Sequence, residues 1–140
     1  MRPPTPGRSV DGLQAREIDL TDKLLPADGF VRWRALEATE FMTTEIRGNF
    51  RPFFFGVPQA EKEKARQMLD RRFAMIAEQL GDKPFLVSDR MTIADPYLFV
   101  MLSWGAMFGI DVPAPLGARL ARMKTQPSVL RALAEEGLPA

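Results

Sequence analysis

The most regular hydrophobic pattern in the chain runs from Pro58 to Leu80. Its apolar positions recur at the three- and four-residue spacing of an α-helix, and most positions between them are charged. A proline stands at its start and Gly81 follows its end, as is common at helix boundaries. The pattern therefore predicts an amphipathic helix with a solvated charged face. Its apolar stripe comprises Ala65, Met68, Leu69, Phe73, Ile76 and Leu80.

An earlier helical pattern extends from Phe30 to about Phe50. Pro52 is expected to end this helix, because proline removes a backbone donor and clashes with the preceding turn. The next three residues, 53–55, are all phenylalanine and are too many to bury on one side. We expect them either to pack under the next helix or to line a pocket. The apolar positions of the helix are Phe30, Trp33, Ala38, Phe41, Met42, Ile46 and Phe50.

The segment from Tyr97 to Ile110 is apolar except for Ser103 and two glycines. A helix that is apolar on every side belongs in the middle of a bundle, so a buried helix is predicted from Ile93 to about Gly109. Thr92 and Asp95 precede it at the spacing of a capping box, in which each side chain accepts a hydrogen bond from the other residue's backbone N–H. We interpret this pair as a folding feature.

The remaining patterns complete an all-α domain. Residues 1–23 are predicted to be a flexible N-terminal tail, since their first half is rich in proline and glycine. Residues 24–140 are predicted to form one helical bundle, with shorter helices at 116–124 and 127–136. No segment shows the two-residue alternation of a strand.

Composition limits the chemistry that this chain can perform. The 140 residues contain no cysteine and no histidine, and the net charge is +1. The sequence thus offers no thiolate or imidazole for a nucleophile, a general base or a zinc site, and no basic excess for nucleic acid. We assign no catalytic residue and no metal ligand. The absence of a long apolar run or a secretory signal predicts no membrane association and a cytoplasmic location.

Two features remain as candidates for ligand binding. Arg47 lies at the end of the first helix, where it either faces an anionic ligand or simply complements the helix dipole. Tyr97, Trp104 and Phe108 share one face of the buried helix, and Phe50 and Phe54 are candidates to complete an apolar cleft with them. Plain core packing is the alternative for that face.

Three segments carry a resemblance to a known family. They are Thr-Glu-Ile-Arg-Gly-Asn-Phe-Arg-Pro-Phe-Phe (44–54), Phe-Leu-Val-Ser-Asp-Arg-Met-Thr-Ile-Ala-Asp-Pro-Tyr-Leu-Phe (85–99) and Gln-Pro-Ser-Val-Leu-Arg-Ala-Leu-Ala-Glu-Glu-Gly-Leu (126–138), with Trp104 between the last two. Together they resemble the C-terminal helical domain of bacterial, beta-type glutathione S-transferases.

The resemblance implies a site for a hydrophobic electrophile, with glutathione as co-substrate and no metal. Arg47 stands where family members commonly have a histidine near glutathione, and Gly48 stands where they often have a lysine. Fewer than thirty residues precede the first long helix, so the family's thioredoxin-like domain is not expected in this chain. The positions that match electrophile contacts are Phe50, Phe54, Tyr97, Trp104 and Phe108.

The leading hypothesis is a glutathione S-transferase family protein whose helical domain forms the electrophile-binding half of a conjugating site. Little activity is expected from this chain alone, because it has no group that activates the thiol. A homodimer is left open as a partner. The alternatives are a non-catalytic dimerisation or interaction module on the same scaffold and a passive carrier of apolar ligands.

Overall fold

The computed structural model describes residues 24–140, and every regular element within them is helical. The predicted flexible tail, residues 1–23, lies outside the described residues. The all-α prediction is confirmed. The elements are α1 (Gly29–Phe41), a π-helical turn (Met42–Arg47), α2 (Gly48–Phe54), α3 (Gln59–Leu80), α4 (Ala94–Met107), α5 (Ala114–Lys124) and α6 (Pro127–Glu135).

Helix α4 is the central helix of the bundle, as its apolar sequence predicts. Leu98, Met101 and Leu102 are at most 2% exposed, and they pack in one core with residues from the π-helical turn, α2 and α3. The opposite side of α4 leaves Val100 and Met107 exposed. Within residues 24–140 no helix combines the length and the apolar character that a membrane crossing requires.

The first helical pattern continues through Pro52 to Phe54, so the prediction that Pro52 ends the helix is wrong. A proline inside a helix costs about 3 kcal/mol. Phe50 on one side of it is fully buried and Phe53 on the other is half-buried, and burial of a phenylalanine contributes about 1.5–3 kcal/mol. The two aromatic residues together offset the loss at Pro52.

The π-helical turn aligns the buried residues of this long helix. Ala38, Met42, Ile46 and Phe50 are spaced by four residues, and the last three are at most 1% exposed. In a regular α-helix of 3.6 residues per turn, each such step rotates the side chain by about 40° away from the core. A π-helical turn contains more residues per turn, which cancels part of this drift.

The N-terminal end of the same stripe does not reach the core. Phe30 and Trp33 are 77% and 67% exposed, although the spacing predicts them on the buried face. Ala35 is buried in their place. The periodicity places residues on a face of the helix, but only the neighbouring helices decide how far along the helix that face is covered.

A buried carboxylate holds the start of α4. Asp95, 5% exposed, accepts a hydrogen bond from the Thr92 N–H at its Oδ2 (2.9 Å) and one from the Leu86 N–H at its Oδ1 (3.0 Å). The second bond links the helix to the preceding loop. The adjacent Ile93 N–H donates to the Leu24 carbonyl at 2.9 Å, which ties the first described residue to the same turn.

The hydroxyl half of the predicted capping box differs from expectation. The Thr92 hydroxyl oxygen accepts from the Ala94 N–H (3.4 Å), whereas the Asp95 N–H donates to the Thr92 carbonyl oxygen (3.1 Å). The reason is that Ile93 already has helical dihedral angles and serves as the N-cap residue, which tightens the first turn. The carboxylate, rather than the hydroxyl, makes the shorter cap bonds.

Helix α5 supports the same loop from its other side. Arg119 Nη2 donates to the Lys83 carbonyl (2.6 Å), and Arg122 Nη2 donates to the Pro84 carbonyl (2.9 Å). Burial lowers the pKa of Arg119, with a contribution from Arg122 of the same sign, while Asp95 opposes that shift. The two arginine hydrogen bonds hold the loop at residues 83–84, which leads directly to the Leu86 N–H that bonds to Asp95.

We expect Asp95→Ala to lower the free energy of unfolding by about 3 kcal/mol, because it removes two charge-assisted hydrogen bonds and leaves two backbone donors unpaired. Thr92→Ala removes only longer contacts and is expected to cost about 1 kcal/mol. Asp89→Ala, at an exposed position in the same loop, is the control and is expected to change little. Equal losses for Asp95→Ala and Asp89→Ala in denaturant titrations would contradict this assignment.

The carboxylate of Asp70 differs from that of Asp95, because one of its oxygens lacks a hydrogen-bond partner among the described residues. Burial, together with the nearby charges of Asp111 and Glu63, raises the pKa of Asp70 above its ordinary value of 3.8, and Arg66 only partly opposes this. Its Oδ1 is buried and has no hydrogen-bond partner among the described residues. At neutral pH the charged form of Asp70 therefore destabilises the folded protein.

Asp70→Asn is expected to raise the melting temperature at pH 7, because it removes that charge without changing the side-chain shape. The gain should shrink as pH falls through the raised pKa, because Asp70 is protonated first in the folded state, and it should vanish only below 3.8, where the unfolded state is protonated as well. Thermal unfolding from pH 7 to pH 4, with Asp89→Asn as the exposed control, measures this. A gain that is independent of pH argues against the electrostatic explanation.

Candidate functional site

Five aromatic side chains from α2 and the end of α4 form one contiguous group, which we call the aromatic cluster. Phe50 contacts Trp104 edge-on at a centroid distance of 5.5 Å. Phe54 contacts Trp104 and Phe108, each at 4.9 Å, again with nearly perpendicular rings. These are the arrangements that aromatic quadrupoles favour. The members of the cluster are Phe50, Phe53, Phe54, Trp104 and Phe108.

The cluster runs from the core to the surface. Phe50 is 1% exposed and rests on Phe73 of α3, whereas Phe54 is 49% exposed. Trp104 and Phe108 are half-buried between these extremes. The buried end anchors the rings, and the open end leaves apolar ring surface accessible to a ligand.

The three consecutive phenylalanines separate into two roles. Phe53 packs against Phe50 and Phe108 and is covered by the Arg66 guanidinium, which lies 5.7 Å from its ring centroid. Phe54 joins the cluster as described above. Phe55 is 62% exposed and makes no aromatic contact among the described residues. Sequence reasoning placed Phe50 and Phe54 in the site but did not single out Phe53.

Tyr97 lies apart from the cluster, about two helical turns before Trp104 on the same face of α4. It is half-buried, and its hydroxyl is 2.9 Å from the Thr43 hydroxyl of the π-helical turn. Thr43 is a residue that sequence reasoning missed. No periodic signal pairs this hydroxyl with Tyr97, because the two residues lie 54 positions apart on different helices.

Arg47 closes the π-helical turn and is exposed. Its side chain makes no hydrogen bond or ion pair with the residues that the structure describes. It follows Thr43 by four residues, which is close to one turn, so the two share a side of the helix. Three polar groups, on Thr43, Arg47 and Tyr97, thus lie on the part of the site that precedes the aromatic cluster.

An ion pair holds the π-helical turn against α3. Arg72 Nη2 and Glu45 Oε2 are 2.6 Å apart, and the Arg72 guanidinium also lies over the Phe41 ring at 6.0 Å. Both side chains are partly exposed, so the pair contributes at most about 1 kcal/mol to stability. Its consequence is positional, since it fixes the turn that carries Thr43 and Arg47.

Two clefts elsewhere on the surface involve few of the predicted site residues. One, of about 440 Å³, lies between α4, α5 and the C-terminal residues, and Trp104 forms part of its wall. The other, of about 410 Å³, lies between α1 and α3 and contains none of the predicted residues. Phe50, Phe54, Tyr97 and Phe108 line neither of these two clefts.

The described residues offer binding groups rather than reactive ones. Within residues 24–140 no three His, Cys, Asp or Glu side chains are arranged to hold a metal ion. The cluster supplies apolar surface, Tyr97 supplies a phenol and Arg47 a cation. This set can hold and orient an apolar molecule that carries polar or anionic substituents.

Comparison with known proteins identifies the family. Residues 38–122 match the family model for the glutathione S-transferase C-terminal domain. The chain belongs to the glutathione S-transferase family. Glutathione S-transferase GstA of Escherichia coli O157:H7 is 30% identical over 137 residues, an alignment that covers 96% of this chain and 68% of GstA.

Solved structures of this family have the same fold. The beta-class enzyme of Sphingomonas chungbukensis is 34% identical with a TM-score of 0.80, and a sphingomonad glutathione S-transferase complexed with glutathione is 30% identical with a TM-score of 0.79. Each comparison covers 91% of this chain and 65% of the other. The chain thus spans about two thirds of the length of these relatives and corresponds mostly to their C-terminal helical part.

Proposed function

We propose that the aromatic cluster is the electrophile-binding half of a glutathione-conjugating site. The observation that carries this proposal is the graded burial of the cluster, with Phe50 fixed in the core and Phe54 half exposed beside Trp104 and Phe108. An apolar ligand that covers the open ring surface removes it from water, which contributes about 25 cal/mol per Å².

The chemistry follows from family membership and from what the described residues provide. In conjugation, the thiolate of glutathione attacks an electrophilic carbon, a sulfur–carbon bond forms, and a leaving group such as chloride departs with its electron pair. The aromatic cluster would position that carbon, and positioning alone lowers the barrier by limiting the geometries the reactants must search. No described residue is assigned a part in activating the thiol.

Arg47 is proposed to lie near glutathione. Its exposed guanidinium and the absence of a Cβ at Gly48, around which the structure leaves open space, support an approach of an anionic ligand to this turn. A relative with 30% identity is known in complex with glutathione, which supports the same co-substrate here. A homodimer and a cytoplasmic location are further parts of the proposal, drawn from the family.

The test is ligand binding reported by Trp104. Trp33, which is exposed and distant in sequence from the cluster, is first replaced by phenylalanine so that Trp104 is the sole indole. Titration with 1-chloro-2,4-dinitrobenzene, without glutathione, is expected to quench its fluorescence saturably. Phe54→Ala should weaken binding about fivefold, because it removes one exposed aromatic contact surface without touching the core.

Phe55→Ala is the matched control, since Phe55 is adjacent, equally apolar and outside the cluster. It should leave the affinity unchanged. Linear quenching without saturation, or equal losses for Phe54→Ala and Phe55→Ala, would show that the cluster is not the binding surface and would overturn the proposal.

A further inference from the structure

The hydroxyl groups of Thr43 and Tyr97 make a polar side-chain contact between the π-helical turn and α4. Their oxygens are 2.9 Å apart although the residues are 54 positions apart in the chain. The Thr43 hydroxyl also donates to the Thr39 carbonyl at 2.9 Å, within the same helix. Both residues are half-buried.

The number of protons decides the direction of the contact. A threonine hydroxyl carries one hydrogen and two lone pairs, and a carbonyl oxygen can only accept. We assign the single Thr43 hydrogen to the Thr39 carbonyl, because this arrangement is the one in which both short contacts are hydrogen bonds; Thr43 then accepts from Tyr97. The phenol hydrogen of Tyr97 is therefore committed to Thr43, and its oxygen presents only lone pairs to anything else that approaches.

The Tyr97 hydroxyl lies in the polar part of the proposed site, before the aromatic cluster. Tyr97 precedes the cluster residue Trp104 by seven residues, which is about 10.5 Å along the helix axis. Arg47, whose guanidinium can only donate, lies one turn beyond Thr43. The Tyr97 oxygen therefore accepts hydrogen bonds from a ligand, whereas the Arg47 guanidinium donates them.

Resting on the proposed function, we propose that Thr43 is a positioning residue that makes Tyr97 a hydrogen-bond acceptor for the ligand. The site then selects aromatic ligands that carry a hydroxyl or amide N–H donor on a short arm. A ligand whose arm carries only an acceptor meets lone pairs at Tyr97 and loses the hydrogen bond it had with water.

The matched probes are 4-phenylbutan-1-ol and its methyl ether, which share the ring and the oxygen but differ in the donor. Their affinities are measured by Trp104 fluorescence in the Trp33→Phe chain. The alcohol is expected to bind about fivefold more tightly than the ether, the usual net effect of one hydrogen bond.

Two substitutions should abolish this preference in opposite ways. Tyr97→Phe removes the acceptor, so the affinity for the alcohol should fall to that of the ether. Thr43→Val has the same shape as threonine and frees the phenol proton, so the affinity for the ether should rise to that of the alcohol. Thr43→Ser retains the hydroxyl and should therefore keep the preference for the alcohol. Thr44→Val, at the exposed neighbour whose hydroxyl bonds within its own helix, is the control.

The outcomes separate this inference from the proposed function. If alcohol and ether bind equally and Phe54→Ala weakens both, the aromatic cluster binds ligands but Tyr97 does not select among them. The inference is also overturned if Thr43→Val lowers both affinities alike, since that is the signature of a merely structural contact. If neither probe binds although 1-chloro-2,4-dinitrobenzene does, the inference fails and the proposed function stands; if none of the three compounds quenches Trp104 saturably, both fail.

Discussion

The buried carboxylate of Asp95 is the interaction on which the rest of the bundle depends. A charge that is 5% exposed is tolerated only when hydrogen bonds replace its lost hydration, and the Thr92 and Leu86 N–H groups do so. One bond fixes the first turn of α4 and the other fixes the loop before it. Because Ile93 also bonds to Leu24, the start of the described chain is anchored at the same place.

The proposed binding face takes its geometry from the start of α4. Tyr97 and Trp104 occupy α4, whose direction is set at Asp95, and the opposing face is supplied by the π-helical turn and α2. The Thr43–Tyr97 contact joins those two faces, and the Arg72–Glu45 ion pair holds the π-helical turn against α3. The domain therefore has the aromatic cluster and the polar side chains of Thr43, Arg47 and Tyr97 on one side of the bundle.

Much of this was predictable from sequence, and the failures have identifiable causes. The helical class, the central position of α4 and the shared face of Trp104 and Phe108 follow from periodicity, because apolar spacing indicates which side chains of one helix share a face; the association of Phe50 and Phe54 with them was only a candidate interpretation until the family resemblance was considered. Pro52 was misjudged because local propensity ignores the burial gained by the flanking phenylalanines. Thr43 was missed because a hydroxyl pair across two helices leaves no periodic signal, and the exposure of Trp33 depends on where neighbouring helices end.

Native-state hydrogen exchange of the Leu86 and Thr92 amides tests the central claim most directly. If the Asp95 carboxylate locks the start of α4 to its loop, both amides should exchange only through global unfolding, at the free energy shown by interior amides of α4 such as that of Leu102. Exchange about tenfold or more faster than Leu102, which corresponds to local opening at about 1.4 kcal/mol or more below global unfolding, would contradict it.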